Sequence, residues 1–183
     1  MKKIITLLLL LIVPLFAKGK IYTGIGYNLY KESYTNKSME SVSLSDNALK
    51  FKIGYGVREA FAVEFSLDYI DHASYDTMPT IGSAKYGFNV ALIKAFDFGI
   101  YVNPYLKVGF GTGIIDNLGK EERSLTYGSF DLGGGFFIPI NENFDIELAY
   151  EYKNATYEKE NLDSKLNNTS NINIFYIGVN TRF

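Results

Sequence analysis

From residue 21 to its end, the chain alternates large apolar side chains with small or polar ones. Leu49, Phe51, Ile53, Tyr55 and Val57 are separated by Lys50, Lys52, Gly54 and Gly56. After Arg58-Glu59-Ala60 the alternation resumes, with Phe61, Val63, Phe65, Leu67 and Tyr69 set against Ala62, Glu64, Ser66 and Asp68. A period of two places alternate side chains on opposite faces of a strand, so each face meets a different environment. Segments this close form a hairpin. Pairing Val57 with Phe61 keeps the apolar faces together and sets Lys50 opposite Asp68 and Lys52 opposite Ser66, near Glu64.

Six further segments carry the same signal. Strand one runs over 21–30, with Ile21, Thr23, Ile25, Tyr27 and Leu29 on one face. Strand four covers 85–93, with Tyr86, Phe88, Val90 and Leu92. Strand five carries Pro104, Leu106, Val108 and Phe110; Pro104 cannot donate to a ladder and is expected at the strand start or at a bulge. Strand six carries Phe130, Leu132, Phe136 and Ile138, and strand seven carries Phe144, Ile146, Leu148, Tyr150 and Tyr152. The last strand ends the chain: Phe175, Ile177, Val179, Thr181 and Phe183 face one way, and Ile174, Tyr176, Gly178, Asn180 and Arg182 the other. The connections alternate long and short. The polar stretches 31–47, 71–84, 115–125 and 154–170 read as long loops, on the side opposite both termini. Eight strands with this rhythm predict an all-β fold, an eight-stranded antiparallel up-and-down transmembrane β-barrel.

Volume argues for the apolar face pointing outward. An eight-stranded barrel has an interior only wide enough to be filled by side chains. The Phe, Tyr, Leu, Ile and Val face would overfill it, whereas the Gly, Ala, Ser and Asn face fits. A secreted two-sheet sandwich or a lipocalin-like barrel would reverse the faces, and a sandwich could hold the large residues. Aromatics at both strand ends favour the membrane: Phe61, Phe144 and Phe183 on the short-turn side, and Tyr27, Tyr69, Tyr86, Tyr150 and Tyr152 on the loop side, form two interfacial girdles. The inward set then holds Lys50, Lys52, Glu64, Asp68, Lys107, Asp131, Asp145, Glu147, Glu151 and Arg182. An isolated charge in a narrow lumen costs several kcal/mol, so these must pair or meet water. Lys50 and Lys52 are expected to pair with Asp68 and Glu64. Lys107 and Arg182 are expected to offset the acids of strands six and seven. Such a network either plugs and rigidifies the barrel or lines a gated polar path.

Composition narrows the function classes. The 183 residues suffice for one domain, and a net charge of -2 gives no nucleic-acid surface. Cysteine is absent, which removes disulfides, thiolate metal sites and a cysteine nucleophile. No cofactor or metal motif is present: the pairs Gly24/Gly26 and Gly54/Gly56 and the Gly109–Gly113 repeat lack phosphate-loop spacing and open no helix. The first residues, Met1-Lys2-Lys3 followed by an apolar run to Phe16, are too short to span a bilayer, which takes about 20 residues. They fit a signal peptide, residues 1–17, cleaved after Ala17, with the barrel domain over 18–183.

The alternation, the loop rhythm, Pro104-Tyr105 opening the Gly-rich fifth strand and the terminal Phe183 resemble the small eight-stranded barrels of the OmpA transmembrane domain, OmpX and opacity-protein superfamily. The resemblance implies a Gram-negative outer-membrane location, contact with outer-membrane lipid and lipopolysaccharide, and a monomer. It implies that Phe175, Ile177, Val179 and Phe183 form the signal read by the barrel-assembly machinery. It further implies a non-enzymatic structural or surface-interaction role, in envelope integrity or adhesion to a host or surface ligand through the loops. The peptidoglycan-binding domain of OmpA proper is not expected here. A narrow channel is the alternative. His72 and Ser74 resemble the His-x-Ser pair of outer-membrane lipid A deacylases. However, Tyr75 stands where that family has Asn, and the pair falls in a loop segment instead of a later strand.

Overall fold

The computed structural model describes residues 19–36, 41–73, 83–117, 123–158 and 166–183. The eight strands are β1 (Lys20–Asn36), β2 (Ser41–Gly56), β3 (Phe61–Ala73), β4 (Ser83–Ala95), β5 (Asn103–Asn117), β6 (Arg123–Pro139), β7 (Phe144–Tyr157) and β8 (Leu166–Arg182). Each pairs antiparallel with its neighbours in sequence, and β8 closes on β1, giving an up-and-down barrel. Closure leaves no edge, so every strand has a partner on both sides. The β2–β3 register places Lys50 opposite Asp68 and Lys52 opposite Ser66. Pro104 is the second residue of β5, at the strand start, where its missing N–H is tolerated.

The faces are partitioned as lipid requires. Ile25, Leu29, Phe51, Ile53, Phe65, Leu67, Leu92, Phe110, Leu132, Phe175, Ile177 and Val179 all point outward and are exposed on the isolated chain. The opposite face is buried and carries charges, amides and small residues. A soluble sandwich or lipocalin-like barrel would hide the first set, and is thereby excluded. Glycines on the inner face make room for aromatic rings. A Cβ built on Gly54 would lie 2.3 Å from the Tyr22 ring, and one on Gly135 would lie 2.3 Å from the Leu148 carbonyl oxygen.

The segments 31–47, 71–84, 115–125 and 154–170, expected as loops, are corrected in large part to strand. β1 and β2 stay paired to Thr35↔Ser41, and β5 and β6 to Asn117↔Arg123. β3 continues through His72 to Ala73, β7 reaches Tyr157, and β8 begins at Leu166. β1 has 17 residues, whereas a membrane crossing takes about 10. The wall therefore continues well past the bilayer on the side away from the termini. There the inward and outward positions continue in the same phase, but their polarity is exchanged. The outward positions now carry Lys31, Asn47, Asp71, Asp116, Asn154 and Asn171, and the inward ones carry Ile70, Ile115, Ile172 and Ile174. Water replaces lipid outside, so the apolar side chains move to the only dry place left. A segment polar on its outer face with single apolar residues inside looks like a loop when read for the membrane pattern. The expected signal peptide 1–17 and Ser74 lie outside the described residues.

Two outcomes test this arrangement. A cysteine at Phe65 or Leu148 in a bilayer-embedded barrel should resist a membrane-impermeant maleimide that labels a cysteine at Asn154 readily. Gly135→Val should lower stability by about 1–3 kcal/mol through overpacking against backbone, read as a shift of the urea midpoint of the heat-modifiable gel band.

Candidate functional site: the lumen

The lumen is filled in tiers. At the end nearest the termini, Arg182 Nε donates to Asp145 Oδ2 at 2.7 Å, Asn180 donates to Asp145 Oδ1 at 2.8 Å, and Arg58 Nη1 lies 3.9 Å from the same carboxylate. Next to this lies an apolar cluster of Tyr22, Ala62, Ile93, Ala95, Tyr105, Phe137, Ala149 and Tyr176, whose tyrosines reach into the central charges. Tyr105 and Phe137 stack with centroids 4.5 Å apart.

The central tier holds most of the charge. Lys107 Nζ sits 2.8 Å from Glu64 Oε1 and 2.8 Å from Glu151 Oε1. Lys50 Nζ lies 2.7 Å from Glu151 and 3.6 Å from Asp68. Lys52 pairs with Glu147 and lies 3.4 Å from Glu64. Tyr22 and Tyr105 donate their hydroxyls to Glu64 at 2.9 Å and to Glu147 at 2.5 Å, so the carboxylates spend lone pairs that the lysines leave over. Slightly higher, Lys153 Nζ reaches Asp68 at 3.0 Å and Asp131 at 3.7 Å, with Asn28 and Asn89 also donating to Asp68.

A second apolar layer follows, of Tyr30, Ala48, Ile70, Ile115, Ala155, Tyr157, Ile172 and Ile174. Buried within it, Lys85 Nζ lies 2.7 Å from Glu32 Oε2. Glu32 also accepts from Tyr30 at 2.8 Å, from Ser170 at 2.6 Å and from Tyr157. Among the described residues, seven carboxylates packed in the lumen thus face five lysines and Arg182, each within ion-pair distance of an opposite charge.

The inward residues named from sequence all lie on this inner face: Lys50, Lys52, Glu64, Asp68, Lys107, Asp131, Asp145, Glu147, Glu151 and Arg182. The pairing expected along the β2–β3 ladder is only half of the pattern. The shortest contacts of Lys50 and Lys52 run across the barrel to β7, because a lysine stem easily spans so narrow a bore. Sequence adjacency shows ladder neighbours and is silent about residues that meet across a lumen. Glu32, Lys85 and Lys153 were missed, although continuing the inward phase of β1, β4 and β7 by one or two steps reaches each of them. Phe175, Ile177 and Val179 face outward on β8, and Phe183, just past its end, is exposed. His72 sits in β3, and its intended partner Ser74 falls outside the described residues.

A strand wall greasy outside, with ion pairs and apolar layers inside, defines an integral outer-membrane barrel. The chain belongs to the family described as outer membrane protein beta-barrel domain, which it matches over residues 4–183. Its structure is similar to Neisserial surface protein A, at 18% identity and TM-score 0.65, over 89% of this chain and 97% of that one. It is also similar to Ail, the attachment invasion locus protein of Yersinia pestis, solved in complex with the heparin analogue sucrose octasulfate. There the identity is 19% and the TM-score 0.59, over 90% of this chain and 99% of that one. OprG of Pseudomonas aeruginosa shares 15% identity with a TM-score of 0.54, over 90% and 96% of the two chains. At these identities the likeness is one of fold. Among curated proteins none matches the sequence.

Lys107 tests the central tier. Lys107→Met should destabilise the barrel by about 3–5 kcal/mol, because Glu64 and Glu151 are left buried without it. Adding Glu64→Gln and Glu151→Gln should recover a good part of that loss in urea titrations monitored by gel mobility.

Proposed function

We propose that this chain is a closed, non-conducting and non-enzymatic barrel with a structural and surface-interaction role in the outer membrane. It would support envelope integrity or adhesion through the four hairpins that project beyond the bilayer. The observation that carries this reading is the lumen itself: apolar clusters lie on either side of a central ion-pair network, and every buried charge among the described residues has an opposite charge beside it. A conducting path needs polar groups free to exchange partners with a passing ion, and here the carboxylates and ammonium groups are already engaged with each other. The network acts as a plug that holds the wall rigid, so that the tall hairpins present a fixed platform. The terminal strand, with Phe175, Ile177, Val179 and Phe183, delivers the monomer to the assembly machinery, and the segment 1–17 directs export before removal.

Single-channel recording in planar bilayers tests the closed lumen. Rare, small steps are expected, and a steady large conductance would replace this reading with the narrow channel. Replacing segments 37–40 and 159–165 with Gly-Ser linkers should abolish surface attachment of cells carrying the protein while detergent resistance of the envelope is kept. The opposite outcome assigns the role to envelope integrity alone.

A further inference from the structure

The short-turn end of the barrel, which faces the periplasm in this class, is not uniform. The β2–β3 turn carries Arg58 and Glu59, and the β6–β7 turn carries Asn141, Glu142 and Asn143 with Ile140 as its one exposed apolar residue. The turn between β4 and β5 is different. It runs from Phe96 to Val102 and leaves Phe98, Ile100 and Tyr101 at 66%, 58% and 70% exposure. It is a built turn. Gly99 has a φ of 67°, which favours glycine, and its N–H donates to Asp97 Oδ1 at 2.9 Å. Phe96 and Phe98 lie nearly parallel, with an interplanar angle of 7° and centroids 6.1 Å apart. The Phe96 N–H is fixed to the Pro104 carbonyl at 2.9 Å.

Beside this turn stands Lys94, the last outward-facing residue of β4. It pairs in register with Phe61 and Leu106, both on the lipid-facing side. Its Nζ lies 4.0 Å from the centre of the Phe61 ring and 5.6 Å from that of Phe96. Among the described residues no carboxylate comes within ion-pair distance of it. The inner-face lysines resolve the same problem with acids. Lys94 faces outward, where the protein supplies only ring faces. A cation at the edge of an apolar belt is stable when its ammonium reaches a headgroup phosphate and its stem stays in the apolar zone.

We propose that Lys94, held on the Phe61–Phe96 shelf, is a binding site for the phosphate of a glycerophospholipid in the periplasmic leaflet. Phe98, Ile100 and Tyr101 dip into the same leaflet beside it. Two observations select a lipid as the occupant. The apolar turn is continuous with the lipid-facing belt through Leu92 and Leu106, and the cation it borders is unpaired and complementary to a phosphate. The rings of Phe98 and Tyr101 and the Ile100 side chain clasp the glycerol and upper acyl region, while Lys94 takes the charge. The turn thereby fixes the depth and rotational position of the barrel in the bilayer from one side only.

The test uses the folded full chain in detergent, mixed with palmitoyl-oleoyl phosphatidylglycerol and examined by native mass spectrometry. Wild type and Lys94→Arg should retain a one-lipid adduct, and Lys94→Gln should lower its abundance about tenfold, the loss of one charge-assisted contact. Gel mobility confirms that each variant is folded. Excess inorganic phosphate should leave the adduct in place. An adduct undiminished in folded Lys94→Gln, or one displaced by free phosphate, overturns the proposal. A second measurement keeps Lys94 intact. In phosphatidylglycerol nanodiscs, where both rims are open to water, Ile100→Cys should resist an aqueous maleimide that labels Asn141→Cys. Equal labelling of the two would mean that the turn stands free in the periplasm, open to a protein partner, and the lipid site falls.

Discussion

A peptide N–H or carbonyl in hydrocarbon has no water to bond, so a strand can cross a bilayer only when both of its edges are paired. Here β8 meets β1 and the requirement is met by closure. Everything inside the barrel is a consequence. Eight strands enclose a bore with room for side chains and little else. Large residues are therefore expelled to the lipid side, glycines line the wall where rings must fit, and each charge left inside must find its counterpart within the width of the barrel. The three-way contact of Lys107 with Glu64 and Glu151 is the tightest statement of that rule. Each acid is shared in turn, Glu151 with Lys50 and Glu64 with the Tyr22 hydroxyl, so the contact is one node of a continuous network.

The second organising fact is the exchange of polarity between the two faces at the membrane surface. Within the bilayer, β8 sends Phe175, Ile177 and Val179 outward. One turn of the pleat higher, Ile174 and Ile172 point inward, and Asn173 and Asn171 take the outer face, where they accept from Tyr150 and Tyr152. One wall thus belongs to two kinds of protein. Its lower part is a membrane barrel, polar within and apolar without, and its upper part is a soluble barrel with the polarity reversed. The Glu32–Lys85 pair lies inside the upper apolar layer, where Tyr30, Tyr157 and Ser170 supply the bonds that water would otherwise make. Buried apolar clusters thus lie on both sides of the central charges, this one above and the one containing Tyr22 and Phe137 below.

The same logic explains Lys94. Inward lysines are neutralised by the chain itself, and an outward lysine at the belt's lower edge must be neutralised by whatever surrounds the barrel. The surface thus carries information about its solvent. Asparagines above, aliphatic residues between, and a ring-shelved cation beside an apolar turn below correspond to water, acyl tails and phosphate in that order.

The sequence by itself determined the strand count, the partition of faces within the bilayer, the β2–β3 register and the inward direction of the ten charges named from it. All of these follow from a period of two and from short turns, which are local properties. It also held, unread, the inward phase that reaches Glu32, Lys85 and Lys153. Only the tertiary structure decided that Lys50 and Lys52 reach across to β7, because strands far apart in the chain become neighbours only when the sheet closes around a narrow bore. It likewise decided that the polar stretches continue as wall: alternation names two environments without saying which is which, and above the membrane water takes the place of lipid outside while the inner face becomes the apolar one.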